Sequence, residues 1–329
     1  MKPRHLILLL TSTLTMLVLT GCFFSFSVSS GSGTSTVGST SLAPCFQDTC
    51  ADKVTVAVIG DAENLLFSST GRLFVSGGEN LFEITQSSTG AYVSTVVSTA
   101  TCNFTGLSII NDTLYAACFN GSLWAGSLSQ LPLQVRSIAT LPAVTAGNGL
   151  VDGPDGSSLY LVNGPSGQTP QIIKITLNPL RSTEVLSAQP WLSTDISFPN
   201  GLQRKGSLLY FTDSDAQSLG RIKTVNILSN GTAGTVQSIA AFNSLPDDIS
   251  FIDSDFAVPF FSSGQIARVS ANGLILQSTG ANRFANPSQV RITRGPLFRD
   301  GDLLVTEKGV IGDNASSVGN ILTLYKTRS

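Results

Sequence analysis

Pro199-Asn200-Gly201-Leu202, a turn, and then Leu208-Leu209-Tyr210-Phe211-Thr212-Asp213: this stretch decides the fold, because the chain keeps repeating it. Upstream, Asn148-Gly149-Leu150 precedes Leu159-Tyr160-Leu161-Val162, and Thr105-Gly106-Leu107 precedes Leu114-Tyr115-Ala116. Further upstream, Glu63-Asn64-Leu65 precedes Leu73-Phe74-Val75. Downstream, Asp247-Asp248-Ile249 precedes Phe256-Ala257-Val258, and Ser288-Gln289-Val290 precedes Leu303-Leu304-Val305. The first residues of these six units are spaced by 42, 43, 52, 47 and 41 positions. Short apolar strands repeating every 40–50 residues or so are the signature of propeller blades. The expectation is an all-β, six-bladed β-propeller. Radial symmetry then brings Glu63, Thr105, Asn148, Asn200, Asp247 and Ser288 to one axis.

Each unit reads as strand, turn, strand, turn, strand. The first runs Leu65-Leu66-Phe67, Ser69-Thr70-Gly71, Leu73-Phe74-Val75 and on to Asn80-Leu81-Phe82-Glu83-Ile84. No amphipathic helical stretch stands out from residue 50 onward. A sandwich is the competing all-β architecture, but it does not predict six matched units. A propeller also disposes of its exposed sheet edges by radial closure. Val54-Thr55-Val56-Ala57-Val58 is placed to complete the last blade beside Ile321-Leu322-Thr323-Leu324-Tyr325.

The N-terminus reads as an address. Lys2 and Arg4 precede an apolar run from Leu6 to Val18, which is too short and too interrupted by Ser and Thr for a membrane span. It ends at Leu19-Thr20-Gly21-Cys22, which resembles the bacterial lipobox, whose Cys is acylated and becomes the mature N-terminus. The expected organisation is a signal peptide over 1–21, then the lipidated Cys22 and a Ser/Thr/Gly-rich tether over 22–50, then the propeller over 51–329. Each buried methylene of an acyl chain contributes about 0.8 kcal/mol to membrane binding, so several chains anchor firmly. Phe23 after the Cys, where an Asp would signal retention at the inner membrane, points to an outer-membrane lipoprotein of a Gram-negative bacterium, facing the periplasm or the surface.

Cysteine usage agrees with export. Five Cys less the lipidated Cys22 leaves four, an even number that fits two disulfides in an oxidising compartment. Cys45 pairs with Cys50 across a short loop, and Cys102 with Cys118 across the first hairpin of the second unit. Of the 19 Lys and Arg, two (Lys2 and Arg4) leave with the signal, so 17 basic residues face 21 acidic ones, a net charge of −4. There is no basic block, so nucleic acid is not an expected partner; a monomer is expected.

Several of these stretches resemble one family. Pro199-Asn200-Gly201-Leu202 with Tyr210-Phe211-Thr212-Asp213-Ser214, Pro246-Asp247-Asp248-Ile249, and Asn286-Pro287-Ser288-Gln289-Val290 are similar to the senescence-marker-protein/gluconolactonase/luciferin-regenerating six-bladed propellers. The related strictosidine-synthase-like propellers share the Pro-Asn-Gly-Leu grammar. The first resemblance implies a divalent metal on the axis, with Glu63, Asn148, Asn200 and Asp247 as ligands and Asp247 also as catalytic base. Two carboxylates and two amide oxygens form a hard, oxygen-only donor set that suits Ca²⁺ or Mg²⁺ better than softer metals, with Ca²⁺ the expected ion. Two acids forced together also repel unless a cation or a proton intervenes. The chain departs from the family pattern at Asn64 and Asp248, where Gly is usual.

The single histidine, His5, lies in the signal segment. Triads, Cys-His pairs and His-ligated zinc are therefore excluded for the mature chain. The implied activity is hydrolysis of a small-molecule lactone or ester, with the metal polarising the carbonyl and Asp247 activating water. Phe104, Phe198 and Leu245 stand just before axial positions. They either form an apolar mouth suited to a hydrophobic substrate or pack between blades. The alternatives are a non-catalytic propeller that binds a protein or small molecule, and a metal-free enzyme of strictosidine-synthase type.

Overall fold

The computed structural model describes residues 43–164, 169–215 and 219–328. The signal segment, the lipidation site Cys22 and the tether up to residue 42 lie outside the described residues. The described chain is all-β: six four-stranded antiparallel sheets, each ordered from an inner strand outward. The sheets occupy 62–96, 104–140, 147–192, 199–242 and 250–278, and the sixth joins 287–327 to the N-terminal strand Ala51–Val58. The inner strands are Ala62–Phe67, Phe104–Ile110, Gly147–Asp152, Pro199–Lys205, Ser250–Ile252 and Pro287–Ile292. Each carries one of the repeat units or, in the fifth blade, follows it directly.

The ring closes as the sequence predicts. Val54 pairs with Leu324 and Val58 with Ile321 in an antiparallel ladder. The chain's first strand thereby covers an edge that would otherwise remain open. Residues assigned to the tether also pack here. The Cys45–Cys50 disulfide encloses Phe46, which is fully buried in the core between blades five and six, against Phe284 and Tyr325. The Tyr325 hydroxyl donates to the Gln47 carbonyl at 2.9 Å.

The second strands of five blades are buried along their whole length, and burial falls off toward the outer strands. Among the described residues the apolar side chains form six clusters, one at each junction of neighbouring blades. The cluster between blades one and two gathers Phe74, Leu81, Phe104, Leu107, Leu114 and Trp124, with the Cys102–Cys118 bond against them. Phe104 belongs wholly to this packing.

Hydroxyls at the inner ends of the second strands fasten blade to blade. Ser76 Oγ donates to the Thr105 carbonyl at 2.6 Å, Thr212 Oγ1 to the Asp247 carbonyl at 2.6 Å, and Thr306 Oγ1 to the Glu63 carbonyl at 2.8 Å. In each case the acceptor is the main chain of an axial residue on the next blade.

Candidate functional site

The inner strands do not run straight past the axis. Pairing with the second strand slips between Ala62 and Leu65, Phe104 and Leu107, Gly147 and Leu150, Pro199 and Leu202, and Pro287 and Gln289. In blade five, Pro246 makes an isolated bridge to Phe260 before the strand resumes at Ser250. Each slip is a β-bulge, and a bulge re-aims the side chains it contains. The re-aimed residues are the repeat's first two positions.

Five of the six first positions line one cavity; Ser288 instead bonds Asp247. Glu63, Thr105, Asn148, Asn200 and Asp247 share a space of about 470 Å³ with Asp61, Ser214 and Lys308. All four ligands expected from the sequence are therefore brought together. Thr105 is spent on structure, its hydroxyl donating to the Gly147 carbonyl at 3.0 Å. Phe119, Phe198, Leu245, Phe261 and Ile311 form the apolar part of the wall; Phe198 is 42% and Ile311 69% exposed, so they form its rim. Phe198 is held by Asp213, whose Oδ1 accepts the Ser197 and Phe198 N–H groups at 3.0 and 2.7 Å. Lys223 neutralises that buried carboxylate at 2.6 Å.

Asp247 is the best-connected group on the axis. Its Oδ2 accepts the Ser288 hydroxyl at 2.6 Å, and its Oδ1 accepts the Asn200 side-chain amide. Burial, with the charge of Glu63 next to it, pushes its carboxyl well above the usual range, while the Ser288 bond and Lys308 pull the other way.

Lys308 is the residue that the sequence reading missed. Its Nζ is bonded to Glu63 Oε2 and lies 3.3 Å from Asp61 Oδ1. Burial alone would lower its pKa. Glu63, Asp61 and Asp247 outweigh that and hold the ammonium above the ordinary lysine range. A signal for it exists: Thr306-Glu307-Lys308 ends the second strand of blade six as Thr212-Asp213-Ser214 ends that of blade four, and both Ser214 and Lys308 line the cavity.

This arrangement tests the expected Ca²⁺ site. A calcium ion takes six to eight oxygen ligands. Here the ammonium of Lys308 holds one Glu63 oxygen, and both Asp247 oxygens accept hydrogen bonds from protein donors. Asn200 turns its NH₂ toward Asp247. A divalent ion would have to share the space with a positive charge. Among the described residues no group of three or more His, Cys, Asp or Glu is arranged to hold a metal. As placed, these side chains do not fit a divalent ion.

The repeat's second positions form another layer. Gly106, Gly149 and Gly201 pass so close to the next blade that a Cβ would meet backbone or side-chain atoms at 2.4, 2.5 and 2.3 Å. The other three are polar and bond to each other: Asn64 Nδ2 donates to Asp248 Oδ2 at 2.8 Å, and Gln289 Nε2 to the same oxygen at 2.6 Å. Gln289 Oε1 accepts the Leu65 N–H at 2.6 Å. Asn64 and Asp248 are thus one hydrogen-bonded set rather than two separate departures from glycine.

Solved structures resemble this chain in fold. A gluconolactonase from Xanthomonas campestris matches at 14% identity over 84% of this chain and 90% of its own, with a TM-score of 0.62. A calcium-binding regucalcin from Agrobacterium tumefaciens matches at 15% identity over 87% and 98%, also at 0.62. A PQQ-bound aldose sugar dehydrogenase from Streptomyces coelicolor matches at 14% over 87% and 99%, at 0.55. No protein-family model matches the chain, and no curated protein matches it. At these identities the likeness shows the six-bladed propeller fold.

Proposed function

We propose that this chain is a hydrolase that opens a small-molecule lactone or ester in the axial cavity. The observation that carries the reading is Asp247: a carboxylate buried on the axis, its affinity for a proton raised by burial and by Glu63, lining a cavity large enough for such a substrate. The similarity in fold to a gluconolactonase supports it. The apolar rim of Phe198, Phe261 and Ile311 favours a substrate with a hydrocarbon portion over a free sugar lactone.

The chemistry balances with protein groups alone. A water seated against Asp247 attacks the carbonyl carbon, and its proton passes to the carboxylate. The tetrahedral oxyanion is stabilised by the N–H groups available in the cavity, those of Asn148 and Lys308. The acyl–oxygen bond then breaks, and Asp247 returns the proton to the departing alkoxide. Ser288 orients Asp247 throughout.

The N-terminal lipobox around Cys22 supports a lipid anchor and an outer-membrane location, with the propeller acting as a monomer on small molecules that reach it there. The test is hydrolysis of a panel of aliphatic and sugar lactones and aryl esters by wild type and Asp247→Asn. Wild type should turn over the alkyl-bearing lactones, and the variant should lose turnover by at least ~10³-fold with an unchanged melting temperature. Equal rates in the two proteins would leave a non-catalytic binding propeller as the better reading.

A further inference from the structure

We propose that Lys308 is the resident cation of the axial site, standing where a divalent ion would otherwise be needed and making the site independent of metal. Its catalytic consequence rests on the hydrolase reading above; its consequence for metal binding does not.

The argument begins with charge. Asp61, Glu63 and Asp247 all line one cavity. Three carboxylates gathered in a low-dielectric space repel one another unless a cation lies between them. Lys308 Nζ makes the close contact with Glu63, stands 3.3 Å from Asp61, and acts on Asp247 through space. Its side chain is 18% exposed and that of Glu63 is 6% exposed, so water screens the pair weakly. A lysine ammonium is a compact point charge with three donors. It therefore supplies what a bound metal would: neutralisation of the acids and positive charge facing a substrate carbonyl.

The placement is built rather than incidental. Lys308 follows directly on the strand Leu303–Glu307. Its own N–H donates to the Asn286 carbonyl at 3.1 Å, and the next residue, Gly309, donates to Ala285 at 3.0 Å. Gly309 has a φ of 75°, a conformation that favours glycine, so the chain turns away immediately after presenting the lysine. Thr306, two residues earlier, bonds the Glu63 carbonyl. Blade six thus grips both the main chain and the carboxylate of the same glutamate.

The balance of charge also selects the ligand. Three acids, Asp61, Glu63 and Asp247, face a single ammonium across the cavity. A neutral lactone or ester enters without penalty, whereas its carboxylate product is repelled. The site is suited to an uncharged substrate and to release of an anionic product.

The experiment uses the full, untagged protein purified in detergent. Calcium and magnesium binding are measured by titration calorimetry and by melting temperature in chelator against ~1 mM salt, a concentration at which a site of ordinary affinity would saturate. Wild type should show no heat of binding and no shift. Lys308→Met removes the charge and keeps much of the stem's bulk. It should acquire a calcium-dependent rise in melting temperature of several degrees, because Asp61, Glu63 and Asp247 are freed to ligate. Lactone hydrolysis by wild type should be unchanged by chelator, and Lys308→Met should lose ~10²-fold in kcat with part of the loss restored by calcium.

Stoichiometric calcium binding by wild type would overturn the proposal. So would a folded Lys308→Met that stays blind to calcium. Should that variant fail to fold, Lys308→Arg retains a cation and must remain blind to metal; calcium binding by it would refute the idea equally. Absence of lactone hydrolysis in every protein would sink the hydrolase reading and leave the metal-binding result standing on its own.

Discussion

Thr212 offers the sharpest test of how the propeller positions its candidate base. The side chain is fully buried. Its hydroxyl donates to the Asp247 carbonyl at 2.6 Å and accepts the Gly201 N–H at 2.7 Å. It therefore joins the axial segment of blade four to that of blade five. Thr212→Val keeps the shape and deletes both bonds. The Gly201 N–H retains a second acceptor, the Asp247 carbonyl at 3.0 Å, so neither backbone group is stranded. The loss is then that of two ordinary hydrogen bonds, about 2 kcal/mol. For a chain of this size that corresponds to a fall in melting temperature of roughly 3 °C. Thr212→Ser is the control: it keeps the hydroxyl and loses one methyl, which costs about 1 kcal/mol.

The expected order of melting temperature is wild type, Ser, Val, read by calorimetry at one scan rate. In activity the two variants should separate further. The Ser variant should keep its kcat, whereas the Val variant should lose ~10-fold or more, because the main chain carrying Asp247 is no longer clamped and misplacement of a reacting group is costly. A Val variant that melts with wild type, or a Ser variant less stable than Val, would refute the view that Thr212 acts through its hydroxyl.

Two further outcomes follow from other parts of the molecule. Replacing Cys102 and Cys118 together by Ala opens a loop of 16 residues and should cost about 3 kcal/mol on the chain-entropy account; the Cys45–Cys50 loop of 5 should cost less, and a reversed order in denaturant melts would contradict that account. Burial raises the Asp248 carboxyl from 3.8 to about 6 against the pull of Arg291 and the bonds from Ile249, Asn64 and Gln289. The folded form therefore keeps a proton that the unfolded chain has lost. Its stabilising contribution is complete below about pH 4 and is lost as the pH rises through about 6, a slope of up to ~3 kcal/mol. Asp248→Asn should shift stability by a constant and remove that slope, and an unchanged slope would assign it to another group.

The propeller was legible in the sequence because its signal is repeated six times. One unit, Asn200-Gly201-Leu202 before Leu208-Leu209-Tyr210-Phe211, carries little information, but six at near-constant spacing admit few other architectures. Closure by Val54 to Val58 and the two disulfides were legible for the same kind of reason: each is a pairing whose partners are few. Phe104 was harder. It stands one residue before the axial Thr105, whereas Phe198 stands two before Asn200; it packs against Trp124 with ring centroids 5.2 Å apart, and Phe198 reaches the rim. That one-residue offset sends the two rings to different surroundings, and Asp213, on the second strand of the same blade, pins the Phe198 loop.

The site was half legible for a physical reason. Symmetry dictates that first positions converge, and Glu63, Asn148, Asn200 and Asp247 do. It says nothing about a residue that appears once. Lys308 breaks the repeat, so a reading built on repeats passes over it, although the crowding of acids on the axis demands a cation. The second layer shows the converse. Asn64, Asp248 and Gln289 also break the repeat, and they do so together: where glycines let backbones touch, these three fill the remaining space with mutual hydrogen bonds. They are 6%, 5% and 0% exposed and form a buried polar layer one residue beyond the first positions. A separate cavity of about 310 Å³, lined by Gln203 and Arg291, shares no lining residue with the axial site. On the proposed hydrolase reading, substrate and product share the mouth between Phe198 and Ile311. On that reading the excess of acids over the single ammonium of Lys308 matters twice, once in admitting a neutral ring and once in expelling the acid that ring opening would create.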